Sequence, residues 1–587
     1  MQRLRHSAFA RPVHCAGLVA IYFAVALVLI SLSDHVFSEQ VTIRYYAKML
    51  APVLSKMYDG RAPTIVPNGT RPLAKAQDLT TVFLVQDADL EQYDEPYPVR
   101  YKFWARRLAT LAEYRPRAIF LDVFFIDKRN DPTLGGFVEQ ACSLRRDGIP
   151  VYIGSLAPRG LQTRPEIAGA RTVLADGSNA NCFTEVGIPK PTDKFDPSAW
   201  EYSLVQEPVA NVRGVKGQAR VTVAAQIYQD LGGKLDLHDA ESMALIWGAR
   251  PHPDNAILQA SDNSAARKLT CDPDGLGWHK VVFNFFARMV SSNKMGKDNA
   301  AECFYHRTRP ITQLREAPPA ELDRMIEGRV VMLALDVAGL QDYVYSPVAE
   351  MPVPGVFLHA MALDNLMVFG QRYKQHAELE FFHNRAGWFA MLTLLVLCIA
   401  TAVMDVYLPV LKGTLAGGKK KKVELVRRHS DASGGADGHK RRHPVAEHHE
   451  EAEESSLAGV ENVTLANPML MAIAVTDRVK SVFTSSQTSH EGTSESRPAA
   501  LRREARYVFT AHLAIPIIKI LVTASLSLMI FYVGYSRLDF GPLTWAEFVF
   551  FPILCHFLFV GPRVEKIFVD TEKALQLWLV KRERSRQ

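Results

Sequence analysis

Two uncharged apolar runs constrain this chain before anything else does. Ala16 to Ser33 (AGLVAIYFAVALVLISLS) holds 18 residues without a charge, and Ala386 to Met404 (AGWFAMLTLLVLCIATAVM) holds 19. Crossing the hydrocarbon core of a bilayer takes about 20 mostly apolar residues, wound into a helix because no water is there to satisfy the backbone. Arg3, Arg5 and Arg11 precede the first run. A cleaved signal peptide has an apolar core of roughly 7–15 residues and a small-residue cleavage site. The run is longer and lacks a clean site, so it reads as an uncleaved anchor. Two weaker candidates follow. Ala511 to Ser536 is broken by Lys519, and Gly541 to Pro562 carries Glu547 near its start. Joined by the turn RLDFG, they read as a helical hairpin.

Basic residues orient these four segments, because cytoplasmic flanks of short loops are enriched in Lys and Arg. The expected organisation is a cytoplasmic N-terminus (1–15), transmembrane helix 1 (16–33) and an outside domain (34–385). Transmembrane helix 2 (386–410) and a cytoplasmic loop (411–510) come next. Transmembrane helices 3 (511–536) and 4 (541–562) lead to a basic amphipathic tail (563–587). The charge division agrees. The whole chain has a net charge of +6 over 587 residues, yet Asp34 to Arg385 holds 40 basic and 42 acidic side chains. That balance excludes a nucleic-acid reader with a dominant basic face. Lys519, Glu547, Asp405 and His556 are the ionisable residues of the spans. The first three lie near span ends and snorkel to the interface; His556 lies deeper and is a candidate helix–helix contact.

Four of the seven cysteines fall in the outside region: Cys142, Cys182, Cys271 and Cys303. An even count in an oxidising compartment suggests two bridges. Three pairings exist, and sequence order favours Cys142–Cys182 with Cys271–Cys303. No Cys or His spacing suggests zinc, and no metal or other cofactor is expected. The loop 411–510 is charged and rich in Gly and Ser, a composition that reads as disorder. Within it, Lys419, Lys420, Lys421 and Lys422 are expected to lie against anionic lipid headgroups. Pro468 to Phe483 reads as a helix that docks on a partner or the membrane. No phosphate-loop, kinase or HExxH motif is present, so no catalytic residue and no enzymatic activity are expected.

The outside region reads as α/β. Thr80–Gln86, Arg117–Ile126, Ile149–Ser155 and Arg329–Asp336 are β-branched and apolar runs. Tyr101–Glu113, Gly136–Arg146 and Val356–Phe369 carry helical spacing. Strands alternating with helices imply a mostly parallel sheet with helical crossovers, flanked by helices. Asp87, Asp122 and Asp342 fall at strand ends, where carboxylates commonly bind backbone amides in turns.

These segments resemble the CHASE2 domain, an extracytoplasmic sensory module of bacterial membrane signalling proteins. The first strand runs Val82-Phe83-Leu84-Val85-Gln86-Asp87, and Tyr97-Pro98-Val99-Arg100 follows. The second strand, Pro116-Arg117-Ala118-Ile119-Phe120-Leu121-Asp122-Val123-Phe124-Phe125, is similar to the family's. Near the end stand Gly328-Arg329-Val330-Val331-Met332, Asp342 and Ser346-Pro347. Pro354-Gly355-Val356-Phe357-Leu358-His359-Ala360 with Leu363-Asp364-Asn365-Leu366 is the most specific block. The stretch 156–325 matches only loosely, though Ala219–Leu231 suits an expected helix, and Ala334-Leu335-Asp336 stands where the family has Ile-Gly.

The resemblance implies a multi-pass protein of the bacterial inner membrane with its large domain in the periplasm. It implies an unidentified extracytoplasmic ligand or protein; because α/β folds commonly bind ligands at the C-terminal ends of their parallel strands, detection is expected there. Arg100, Asp122, Asp342 and His359 are the candidate ligand-binding residues. Family members usually carry a cytoplasmic output domain, and none is recognisable here. Two readings follow: a sensor that signals to a separate cytoplasmic effector, or a non-catalytic structural subunit of an envelope complex. A homo-oligomer fits either.

Overall fold

The computed structural model describes residues 15–24, 39–65, 73–126, 129–159, 161–189, 198–208, 218–238, 242–255, 304–340, 342–348 and 352–375, with Pro12 and parts of 388–407 and 522–541. The chain divides into two compact units, Met1–Ala24 with Leu395–Leu526 and Val25–Leu394 with Ser527–Gln587. In the first, the described parts are helical, and Thr401 Oγ1 donates to the Leu397 carbonyl (2.9 Å). Among the described residues, no helix is long and apolar enough to cross a membrane. Most of 511–536 and nearly all of 541–562 lie outside the described residues. So do Lys419–Lys422, the segment 468–483 and the tail 563–587.

The second unit is built on six parallel strands. In chain order they are β1 (Thr80–Gln86), β2 (Ala118–Phe124), β3 (Val151–Ser155), β4 (Phe183–Gly187), β5 (Arg307–Pro310) and β6 (Val330–Asp336). Their order in space is β5-β1-β6-β2-β3-β4. The last strand therefore sits in the middle, pairing Val82↔Met332 on one side and Met332↔Phe120 on the other. Strands buried on both faces need continuous apolar runs, which is how β1, β2 and β6 were legible. Six helices matter here: α1 (Glu39–Tyr58), α2 (Tyr101–Glu113), α3 (Leu134–Arg146), α4 (Val223–Asp230), α5 (Pro319–Ile326) and α6 (Val356–Phe369).

Side-chain alternation sorts them into two layers. Ile119, Leu121, Val151, Ile153, Val331 and Leu333 join one core with the apolar sides of α2, α3 and α5. Phe120 and Tyr152, on the opposite face, meet α6 and α4. Phe120 packs edge-on against His359, and the Tyr152 hydroxyl donates to Asp230 (2.5 Å). Helix α6 is buried from Val356 to Val368; a helix apolar on all sides belongs inside a molecule.

The Cys142–Cys182 bridge is present, tying α3 to the residue before β4. Cys271 and Cys303 lie outside the described residues. The loosely matched stretch contributes β4, β5 and α4 to this same unit, with small two-stranded pairs such as Arg171–Val173 with Asn179–Asn181.

Candidate functional site

In parallel sheets, ligands gather beyond the C-terminal strand ends where the strand order reverses. Here that edge is acidic. The Asp87 carboxylate, just after β1, accepts the Ala338 N–H (2.9 Å). Asp336, closing β6, accepts from Gln86 Nε2 (3.1 Å) and from the Tyr343 hydroxyl (2.7 Å). The hydrogen bond to Asp336, with further repulsion from Asp87 and Asp342, pushes the Tyr343 hydroxyl up to about 12. Tyr343 and Tyr345 stand two residues apart on the pair Tyr343–Tyr345/Pro352–Pro354, so their rings share one side, 43% and 38% exposed. The edge thus combines carboxylates with accessible aromatic surface, a combination suited to recognition. Among the described residues, no cluster of three or more side chains is arranged to hold a metal ion.

The four candidate residues do not converge on one point. Arg100 precedes α2, exposed, and pairs with Glu95 (2.9 Å). Asp122 lies on β2, on the same strand side as Phe120. Burial, with a smaller contribution from the Asp122 charge, pushes the Tyr202 hydroxyl up. That hydroxyl meets His359 Nδ1 at 3.0 Å. His359 is 2% exposed, so it is held inside the α6 layer rather than presented to solvent. Asp342 sits at the start of α6, where its carbonyl accepts the Gly355 N–H (2.8 Å). A Cβ on Gly355 would stand 2.8–2.9 Å from the Asp342 carboxylate, which is why glycine is needed there. Asp122, Asp342 and His359 therefore share the α6 side of the sheet, and Arg100 lies with the α2 layer.

The polar residues of the late motif organise the core. The Tyr58 hydroxyl, at the end of α1, donates to Asp364 Oδ1, and His306 Nε2 stands 3.5 Å from Asp364 Oδ2. Burial, then the Asp364 charge, drives the Tyr58 hydroxyl well above its ordinary value. Asn365 accepts the Ile246 N–H (3.1 Å) and donates to the carbonyls of Ile246 (3.0 Å) and Met361 (2.9 Å). One side chain thereby satisfies backbone groups of two segments.

Sequence reading missed a second cluster. The turn Gly534–Gly541, which contains RLDFG, is fastened to residues 372–375. Lys374 Nζ donates to Asp539 Oδ1 (2.8 Å) and to the Tyr535 carbonyl (2.6 Å), while Arg372 Nε donates to Asp539 Oδ2 (2.9 Å). The Gln375 N–H donates to the Asp539 carbonyl (2.9 Å), and the Gly541 N–H to the Gln375 carbonyl (2.8 Å). Phe540 also packs against Phe389, near the start of the second apolar run (5.9 Å). Burial lowers the Lys374 ammonium, against the Asp539 contact that raises it. Nothing local in sequence pairs these positions; the only signal was a lone Asp in a turn between apolar segments.

Neither a curated protein nor a solved structure matches the chain significantly. The CHASE2 domain matches residues 41–402, more than half of the chain. That span takes in the parallel sheet, the α6 layer and the late motif described above. The chain belongs to the CHASE2 domain family, a family of extracellular sensory domains.

Proposed function

We propose that the protein is a multi-pass inner-membrane sensor. Its outside domain detects a ligand or partner beyond the C-terminal edge of the sheet and signals to a separate cytoplasmic protein. The observation that carries this reading is the CHASE2 match over residues 41–402. The apolar runs flanking that domain and the basic flanks inside the expected membrane boundary support the orientation. The fastening of the 534–541 turn to residues 372–375 supports a route for the signal. It joins the sensory domain directly to the turn between the third and fourth expected spans. No catalytic step is assigned to any residue, and Lys419–Lys422 are proposed to contact anionic lipid.

Topology and partners test the reading together. Cysteines introduced one at a time at Lys102 and Lys421, in a variant that keeps Cys142 and Cys182 but lacks Cys15, Cys271, Cys303, Cys398 and Cys555, are probed with a membrane-impermeant maleimide in intact cells. Labelling at Lys102→Cys alone is expected; labelling at Lys421→Cys contradicts the orientation. Photocrosslinking from 411–510 is expected to capture a cytoplasmic effector. A stoichiometric complex of envelope proteins after mild detergent extraction, with no such effector, favours a structural subunit instead.

A further inference from the structure

Arg107 breaks the pattern of its own helix. Phe103, Trp104, Leu108 and Leu111 form the buried stripe of α2, and Arg107 falls on that stripe. It is 7% exposed. Its guanidinium lies 4.1 Å from the centroid of the Tyr93 ring and 4.6 Å from that of Phe103. The rings attract the charge through their π faces. They offer no lone pairs to its five N–H donors. Among the described residues, no acceptor hydrogen-bonds this guanidinium and no carboxylate stands within ion-pair distance. Nε is sealed from solvent in that condition, and so is the hydroxyl of Tyr93.

The acids nearby are engaged elsewhere, and Asp89 reaches Arg107 only as a charge at longer range. Arg315, on the Gln313–Glu316 helical turn after β5, lies over the same Tyr93 ring at 5.0 Å, so two guanidinia share one ring. Of the acids nearby, Asp89 is engaged by the Gln86 N–H (2.7 Å) and by Thr312. Glu316 stands 3.5 Å from Arg315 and also accepts from Gln92 Nε2 (2.8 Å). Burial lowers the Arg107 guanidinium; Tyr93 and, more weakly, the Asp89 charge act against this, while Arg315 and Arg106 lower it further. A planar guanidinium held at a buried position, with its Nε unmet, has the donor geometry that matches a carboxylate or phosphate.

We propose that the junction of residues 87–93, α2 and residues 313–316 binds a small oxyanion, a carboxylate or a phosphate. Arg107 is the buried fork, Arg315 the solvent-facing second charge and Tyr93 Oη a neutral donor. The inference goes beyond the sensory reading and stands on binding alone. Anion binding without any signalling response would count against sensing and leave this site in place.

The full chain in detergent decides it by thermal melting. Sodium phosphate and sodium succinate are titrated separately against sodium chloride of equal ionic strength. A saturable rise in Tm with at least one of them is expected, and the two arms separate phosphate from carboxylate. Arg107→Met keeps the apolar packing and is expected to abolish the rise. Arg315→Gln, at an exposed position, is expected to weaken the apparent affinity about 10-fold, the size of one charge-assisted hydrogen bond. No rise beyond that in chloride overturns the proposal, as does an undiminished rise in Arg107→Met. If Arg107→Met does not fold, unchanged affinity in both Arg315→Gln and Tyr93→Phe overturns it.

Discussion

Lys374 and Asp539 are 165 residues apart in sequence and 2.8 Å apart in space. The Lys374 side chain is 4% exposed, so removing its partner leaves a buried charge uncompensated. Breaking a buried pair costs about 3–5 kcal/mol, and the lower figure applies because Asp539 keeps some solvent contact. Asp539→Ala is therefore expected to loosen the turn. Hydrogen exchange at the Gln375 and Gly541 amides should speed up on the order of 100-fold. Lys374→Met, which replaces the charge by an apolar chain, should perturb these amides less than Asp539→Ala. Equal protection in all three proteins would show that the ion pair does not hold the turn.

Asp59, one residue past α1, gives a pH dependence with a definite sign. Burial raises its carboxyl from 3.8 to about 6, against hydrogen bonds from the Ala249 and Arg250 backbone. The native carboxyl holds its proton more tightly than the unfolded one. Its contribution to stability is therefore present below about pH 4 and is lost as pH rises through 6. Asp59→Asn keeps an acceptor for the Ala249 N–H and never ionises. It is expected to gain about 1–2 kcal/mol at pH 7, discounted for partial exposure, and nothing at pH 4. Chemical denaturation at the two pH values checks this; a gain at pH 4 alone reverses the assigned sign.

The Cys142–Cys182 bridge closes a separation of 40 residues. Constraint of the unfolded chain by a loop of that length is worth about 4 kcal/mol in the chain-entropy model. The Cys142→Ala/Cys182→Ala double variant should melt lower by roughly 2–4 °C for each kcal/mol lost. Dithiothreitol should lower the wild-type melting point and leave that of the double variant unchanged on this account.

Gly355 and Asp342 should be energetically coupled. A methyl group at Gly355 meets the Asp342 carboxylate at 2.8–2.9 Å. Gly355→Ala is expected to cost about 1–3 kcal/mol through overpacking. Adding Asp342→Ala should return at least about 1 kcal/mol of that cost, read as non-additivity in a double-mutant cycle. Strict additivity would place the two residues out of contact.

The central strands were legible because each is a continuous apolar run, a pattern that only a sheet covered on both faces requires. β5 was not. Arg307-Thr308-Arg309-Pro310 carries two arginines and a proline, which only an edge strand tolerates. Its Arg307 is matched by Asp254 at 2.8 Å, 53 residues away. The late motif was legible as letters but not as roles. His359 reads as a ligand group in sequence, whereas tertiary packing places it against Tyr202 and Phe120. Arg107 left a trace, a charge on the apolar stripe of α2, visible only when that helix is laid out by face. The Lys374–Asp539 contact left none, since long-range pairing has no local periodicity.

The position of β6 has a consequence for how the domain comes into being. β6 is the last of the six strands to be synthesised, yet it lies between β1 and β2. Until residues 330–336 arrive, those two strands have no neighbour between them, and each shows an unpaired edge. Contacts of such long sequence separation make for slow, all-or-none folding. The emerging chain must therefore stay unfolded and shielded from aggregation until almost the entire domain is available. A break anywhere before β6 is expected to yield no stable fragment.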